Sequence, residues 1–112
     1  MSLERIFKTL VSLGLSEPDA RVYIFLALKG PKETNSIVNN LKINKQQIIQ
    51  SLRNLQNKDI IVVDIEKHNT FSALPFEEAL KLLIKTEKEQ TKIKKENLLL
   101  NWKTMLTKNS AN

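Results

Sequence analysis

The sequence contains no cysteine, one histidine and only two glycines among 112 residues. Without cysteine the chain has no disulfide, no thiol nucleophile and no cysteine-based zinc site, which fits a cytoplasmic protein. His68 has neither a second histidine nor a cysteine to complete a metal site, so we expect no metal and no cofactor. Two glycines cannot supply a phosphate-cradling loop, and neither a nucleophile beside the histidine nor a pocket-like carboxylate pair is recognisable. We therefore predict that the chain is not an enzyme.

Long apolar runs are also absent. No run approaches the ~20 residues needed to span a bilayer, so we expect no membrane partner. The N-terminal segment MSLERIFKTLVSLGL carries Glu4 and Lys8 inside its apolar pattern, which indicates an amphipathic helix and not a signal peptide. A hydrophobic content of 41% supports one modest core, and the length favours one domain with room for an appendage.

Acidic residues are in the minority, and one segment lacks them entirely. Lys and Arg number 18 against 12 Asp and Glu, for a formal net charge of +6. This balance favours nucleic acid or another anionic partner, although a soluble basic protein without such a partner and an AT-rich genome are simpler explanations. Residues 34–58 contain no Asp or Glu and four basic residues: Lys42, Lys45, Arg53 and Lys58.

The acid-free segment has the pattern of two short amphipathic helices joined by a tight turn. Apolar residues recur at helical spacing, at Ile37 and Leu41 in the first helix and at Ile48, Leu52 and Leu55 in the second. Thr34 and Asn44 are the expected N-caps of the two helices. Packed inner faces under an amide-rich, basic outer face suit contact with a polyanion.

The rest of the chain predicts two helices before this pair and a β-hairpin after it. Residues 60–65 and 70–74 are the expected strands, and a last helix is expected from residue 76 to about 108. The predicted fold class is mainly α with a small β-hairpin, a winged helix-turn-helix plus a long C-terminal helix. We expect residues 1–75 to form the DNA-binding domain and residues 76–112 a helix for dimerisation.

The C-terminal helix has a solvated middle, KTEKEQTKIKKEN, followed by an apolar end, LLLNWKTML. Projection of this end into water would gain little, so we expect it to pack on a second chain. The alternative is that the helix folds back on its own domain. The predicted dimer residues are Ile84, Leu98, Leu99, Trp102, Met105 and Leu106.

Three segments together resemble the N-terminal winged-helix domain of TrmB-like archaeal transcription regulators: LGLSEPDARVYIFLALKGP, SIVNNLKINKQQIIQSLRNLQNKDIIVV and FSALPFEEALKLLI. The resemblance covers residues 13–84, whereas the helix pair alone would also suit MarR-like families. Asp59 stands where such domains commonly have glycine, and aspartate tolerates the left-handed backbone that this turn requires. Larger members carry a C-terminal effector domain, often for sugars; we expect none here, and no small-molecule ligand.

The resemblance implies a recognition helix whose first residues enter the major groove. Glutamine can pair with adenine, arginine with guanine, and Ile49 can touch a thymine methyl. The expected outward residues of this helix are Lys45, Gln46, Gln47, Ile49, Gln50, Arg53 and Asn54. Phosphate contacts are expected from Lys42, Lys45, Lys58 and the backbone N–H groups near Thr34 and Asn35. Lys67, His68 and Asn69 can reach DNA from the hairpin turn, although a turn histidine is most often only solvated.

These observations favour a dimeric, sequence-specific regulator that binds double-stranded DNA at the nucleoid and has no effector domain. A winged helix that docks a protein of the transcription machinery is one alternative. A nonspecific, chromatin-like DNA-binding protein is another.

Overall fold

The computed structural model describes the backbone of residues 2–110 and the side chains of residues 2–107. The elements, in chain order, are α1 (Leu3–Ser12), α2 (Glu17–Lys29), α3 (Thr34–Leu41), α4 (Lys45–Asn57), β1 (Ile61–Asp64), β2 (Thr70–Ala73) and α5 (Phe76–Ser110). This order is a winged helix-turn-helix followed by a long helix, so the predicted fold class is confirmed. The helix pair is α3 and α4, and the wing is the hairpin β1–β2.

The predicted cap of α4 is confirmed, and α2 has a side-chain cap of the same kind. The hydroxyl of Ser16 accepts a hydrogen bond from the backbone N–H of Asp19 at 3.2 Å. Asn44 Oδ1 accepts from the backbone N–H of Gln47 at 2.8 Å. Each cap satisfies one of the first N–H groups of its helix, which have no partner within the helix itself. The start of α4 is therefore fixed by its own local sequence.

The predicted cap of α3 is wrong. Thr34 is already helical, and Glu33 is the flanking residue, with an extended backbone and no side-chain hydrogen bond to the helix. The reason lies in the wing, because Lys32 pairs with Phe71 through two backbone hydrogen bonds of 3.0 and 2.8 Å. This bridge adds a third short segment to the hairpin and holds the chain extended up to Glu33, so that Thr34 is the first residue of α3.

Asp59 replaces the usual glycine at the end of α4. Its φ of 62° is left-handed, as expected for this position. The N–H of Asp59 donates to Gln56 O, and the N–H of Ile60 donates to Leu55 O, which together form a Schellman motif. Because the N–H of Ile60 is used there, β1 begins one residue later than the sequence predicted. Gly14, with φ 105°, has the same position after α1.

The core is built around α2. Its buried apolar residues are Ala20, Val22, Tyr23, Phe25 and Leu26, and the other elements contribute Leu10, Leu15, Ile37, Ile48, Leu52, Leu55, Ile60, Ile61, Ala79 and Leu83. α2 is therefore the central helix of the core, although Leu28 at its end is 60% exposed. Ala79 and Leu83 bring the first two turns of α5 into the same core.

α5 continues well beyond this core. At a rise of ~1.5 Å per residue its 35 residues span roughly 52 Å, and the longest dimension of the molecule is 63 Å. Every side chain from residue 87 to residue 107 is exposed. α5 therefore projects as a single helix and does not fold back on its own domain within the described residues. None of the described helices has a stretch apolar and long enough for a membrane span.

Candidate nucleic-acid interface

Three parts of the chain that are distant in sequence line one surface cleft. They are the start of α3, the first turns of α4 and the tip of the wing. The lining residues are Glu33, Thr34, Asn35, Lys45, Ile49, His68 and Asn69. All except Glu33 were predicted as DNA contacts, so the fold brings these candidates together. That they contact DNA stays a prediction.

The start of α3 presents backbone N–H groups to this cleft. No side chain caps the helix, and Thr34 and Asn35 occupy its first two positions. Uncapped N–H groups at the positive end of a helix dipole are suitable donors to a phosphate oxygen. Glu33 is the only acidic residue in the lining, and its carboxylate opposes this attraction.

The outer face of α4 is polar and mostly exposed, as predicted. Its exposed side chains are Lys45, Gln46, Gln50 and Arg53, and Gln47 and Ile49 are half-buried. The amide nitrogen of Gln47 donates to the hydroxyl of Ser51 at 3.2 Å. Ser51 is fully buried beside the predicted apolar positions of α4, and the apolar periodicity of the sequence did not identify it.

Asn54 differs from its neighbours on α4 because its amide is engaged inside the protein. Its Nδ2 donates to Asp19 Oδ2 at 3.1 Å, and its Oδ1 accepts from Gln50 Nε2 at 2.9 Å. Asp19 is only 3% exposed. The sequence prediction gave Asp19 no part in the site, because an acidic residue in the first turn of a helix already has a simple role there.

Lys42 and Lys58 lie away from the cleft at the start of α4. Lys42 is exposed at the end of α3 and has a left-handed backbone with φ 55°. Lys58 follows the last residue of α4, about 20 Å along the helix from Lys45 at ~1.5 Å per residue. It lines a second cleft together with Asp19 and Asp59, whose carboxylates disfavour a phosphate there.

The wing tip owes its shape to two consecutive left-handed residues. His68 and Asn69 have φ values of 55° and 57°, and they end the loop of residues 65–69 that joins the paired residues Asp64 and Thr70. Histidine and asparagine tolerate this conformation better than most residues, which gives His68 a structural reason for its position. Both side chains and that of Lys67 are exposed. Asp64 Oδ1 accepts from the N–H of Glu66 at 3.1 Å, a local side-chain turn at the start of the loop.

The residues predicted to form a dimer are all on the projecting part of α5 or at its base. Their exposed fractions range from 38% for Ile84 to 72% for Leu98. Leu99, Trp102, Met105 and Leu106 are also exposed. Leu100, which the sequence analysis did not include, is 63% exposed. Among the side chains that the structure describes, no other part of the surface holds so many large apolar residues in so short a segment.

The fold and this interface define a winged helix-turn-helix of the kind that binds nucleic acid. The chain belongs to the TrmB family: residues 10–77 match the model of the sugar-specific transcriptional regulator TrmB. The match runs from the end of α1 to the first turn of α5, so it covers the whole helix pair and the wing. The predicted resemblance is confirmed, and the family consists of regulators and not of enzymes, as predicted.

The proteins similar to this chain include one relative and two solved structures. The uncharacterized protein MJ1503 of Methanocaldococcus jannaschii is 27% identical over 82 residues, which cover 68% of this chain and 62% of MJ1503. TrmBL2, an archaeal chromatin protein with a novel mode of DNA binding, has a TM-score of 0.75 at 20% identity over 95% of this chain and 41% of its own. A MarR-like transcriptional regulator of Thermotoga maritima has a TM-score of 0.50 at 17% identity over 94% of this chain and 97% of its own. These structural similarities establish the fold, and this chain spans less than two thirds of MJ1503 and of TrmBL2.

Proposed function

We propose that the protein is a dimeric, sequence-specific transcription regulator that binds double-stranded DNA in the cytoplasm, at the nucleoid. Residues 1–75 supply the DNA contacts and residues 76–112 the dimer contacts. The observation that carries this proposal is the convergence of α3, α4 and the wing tip around one cleft. The helix pair that forms it contains no acidic residue between Thr34 and Lys58.

The proposed interface makes two kinds of contact with DNA, one to phosphates and one to bases. Backbone N–H groups of Thr34 and Asn35, with the ammonium of Lys45, hold phosphate oxygens and fix the register of the protein on the duplex. Gln46, Gln50 and Arg53 on the outer face of α4 then reach base edges in the major groove. The exposed wing tip extends the contact to the neighbouring backbone or minor groove.

The dimer follows from the apolar end of α5. Leu98, Leu99 and Trp102 are more than half exposed, and a soluble chain gains free energy by covering such a segment. Pairing of two α5 helices in a twofold dimer places two α4 helices on one side of the molecule. Their separation should match one DNA turn, about 34–36 Å, or a multiple of it, and the operator should be an inverted repeat.

A second candidate function is nonspecific, chromatin-like DNA binding. The specific observation in its favour is the structural likeness to TrmBL2, an archaeal chromatin protein. The same cleft would serve it, because phosphate contacts carry no sequence information. The two candidates differ in one measurable property, which is the ratio of affinities for an operator and for an unrelated duplex of equal length.

The test is selection of bound fragments from a random duplex pool, followed by titration of the best duplex and a scrambled one. The parent is compared with a combined Lys45→Ala, Gln46→Ala and Arg53→Ala variant. The control, Lys92→Ala with Lys94→Ala, removes the same two charges from the exposed middle of α5. Each true base contact should contribute ~1–3 kcal/mol, so the triple variant should lose operator binding while the control keeps it.

Three other outcomes are informative. Equal affinity for operator and scrambled duplex would support the chromatin-like function. Tight operator binding by the triple variant would show that α4 is not the recognition helix. If the parent binds no duplex, the winged helix docks a protein partner instead, and the DNA-binding proposal fails.

A further inference from the structure

Three polar side chains, joined by hydrogen bonds, lead from the core to the outer face of α4. Asp19, in the first turn of α2, is 3% exposed and carries no salt bridge in the part of the chain that the structure describes. Asn54 Nδ2 donates to Asp19 Oδ2 at 3.1 Å, and Gln50 Nε2 donates to Asn54 Oδ1 at 2.9 Å. Gln50 is exposed on the proposed DNA-binding face. These hydrogen bonds thus connect a buried carboxylate to a candidate base contact.

The carboxylate of Asp19 determines which groups donate and which accept in these two hydrogen bonds. A carboxylate only accepts hydrogen bonds, so Asn54 must turn its NH₂ group towards Asp19. The Oδ1 of Asn54 then faces Gln50, so Gln50 must donate a hydrogen bond from its own NH₂ group. An isolated amide side chain can rotate by half a turn and exchange its donor and acceptor, but these two are held in one orientation.

We propose that Asp19 is a positioning residue that acts through Asn54 to fix the amide orientation of Gln50, so that Gln50 selects adenine. This inference rests on the proposed function, because it assigns a specificity to the same interface. It also explains why Asn54 itself is turned inward, although the sequence pattern predicted a direct DNA contact for it.

The choice of adenine follows from the groups that Gln50 retains. Its Oε1 takes part in no hydrogen bond within the described residues and can accept from the N6 amino group of adenine. The second hydrogen of its Nε2 is left for adenine N7. Guanine and thymine present acceptors where adenine presents its amino group, so they would face Oε1 unfavourably. If its amide rotated freely, Gln50 could pair either with a base that presents an amino group there or with one that presents an acceptor.

The decisive variant is Asp19→Asn, which keeps the size of the side chain. An amide at this position can either donate or accept, so the reversed arrangement of all three groups becomes available. The change also removes a negative charge, which strengthens binding to any DNA. Glu17→Gln is the matched control, because it removes the same charge from the same first turn of α2 at an exposed position.

The measurement uses the full chain and the selected operator. Gln50→Ala first identifies the base pair that Gln50 reads, as the position at which discrimination is lost. Four duplexes that differ only at this pair are then titrated with the parent, Asp19→Asn, Glu17→Gln and Asn54→Ala. A bidentate contact predicts roughly tenfold or greater discrimination in the parent and in Glu17→Gln. In Asp19→Asn and Asn54→Ala this discrimination between duplexes should fall to about threefold or less. The mean affinity over the four duplexes should change no more than it does in Glu17→Gln.

Several outcomes would overturn the inference. Full discrimination in Asp19→Asn would do so while leaving the proposed function intact, whereas a parent that binds no duplex with sequence preference would overturn both. In the free protein, the side-chain NH₂ of Asn54 should exchange with solvent more slowly in the parent than in Asp19→Asn. Equal exchange rates would disprove the fixed orientation whatever the DNA result. If Asp19→Asn does not fold, the half-buried Asn54→Ala change carries the same test.

Discussion

The hydroxyl of Tyr23 donates a hydrogen bond of 2.6 Å to the carbonyl oxygen of Leu74. Tyr23 is almost completely buried in the middle of α2, and Leu74 lies between the second strand of the wing and α5. A single bond therefore connects the central helix to the point where the wing ends and the long helix begins. The relative position of these two parts matters, because the wing contributes to the candidate DNA interface and α5 to the candidate dimer.

Removal of this bond should destabilise the protein. Tyr23→Phe keeps the ring in the core but leaves the Leu74 carbonyl without its partner, and such a loss costs about 1–3 kcal/mol. Denaturant unfolding followed by circular dichroism measures the change. Tyr23→Phe with the stability of the parent would mean that water replaces the hydroxyl at no cost.

Stability should also depend on alkaline pH through the same group. Burial raises the pKa of Tyr23 to about 12 from an ordinary value of 10.0. Below pH 10 the phenol is protonated in both states; between pH 10 and about 12 the unfolded chain loses the proton and the folded chain keeps it. The free energy of unfolding should therefore fall through this window. Tyr23 is the only tyrosine, so tyrosinate absorbance reports its ionisation directly.

The control for this pH dependence is Tyr23→Phe, which has the same lysines and lacks the phenol. The stability advantage of the parent over the variant should shrink as the pH rises from 10 to 12. A constant difference across this range would contradict the raised pKa.

The left-handed residue at the end of α4 offers a test of local backbone strain. Asp59→Ala should destabilise the protein by about 1 kcal/mol, because alanine tolerates φ 62° poorly, and Asp59→Gly should be neutral or stabilising. Asp59→Asn removes the charge and keeps the tolerance for this conformation, so it serves as the control. Thermal unfolding of the three variants should rank Gly and Asn above Ala, and the reverse order would place the strain elsewhere.

Local sequence was sufficient to predict most of the fold. The inner face of α4 follows from the spacing of Ile48, Leu52 and Leu55, and its start follows from Asn44, whose own side chain makes the cap. The turn at Asp59 was predictable for the same reason, since its conformation depends on the residue and its immediate neighbours. In each case the relevant interaction spans only a few residues.

The parts that the sequence could not give depend on contacts between distant residues. Pairing of Lys32 with Phe71 precedes a start of α3 one residue earlier than predicted, and the hydrogen bond between Asn54 and Asp19 crosses 35 positions. Helical periodicity placed Asn54 on the outer face but contains no information about what packs beside it. The charge pattern likewise grouped Lys58 with Lys45 as phosphate contacts, although the two lie at opposite ends of α4.

Binding to DNA should weaken steeply with salt. Each phosphate that a basic group neutralises contributes about −0.9 to the slope of log affinity against log salt concentration. Lys67→Ala should make the slope less steep by about one unit for each wing that contacts a phosphate, with little change in sequence preference. Lys94→Ala on the exposed middle of α5 is the matched control and should leave the slope unchanged. A slope near zero for the parent would favour a protein partner over DNA.

The apolar end of α5 should determine the oligomeric state. Truncation after Lys95 removes Leu98, Leu99, Trp102 and Met105, all of them exposed, and leaves every buried residue of the core in place. The truncated chain should therefore fold, remain monomeric in light scattering at tens of micromolar, and bind the operator far more weakly than the full chain. Loss of affinity is expected because a monomer engages only one half-site at a time.

Point variants in the full-length chain separate the loss of the interface from the loss of chain length. Leu98→Gln with Met105→Gln should give monomers, whereas Ile93→Gln, at a half-exposed position in the solvated middle of α5, should not. Trp102 is the only tryptophan, so its emission should shift to longer wavelength on dilution of the parent and already be shifted in the double variant. A full chain that is monomeric at tens of micromolar, or a truncated chain that still dimerises, would remove α5 as the dimer interface and with it the expectation of an inverted-repeat operator.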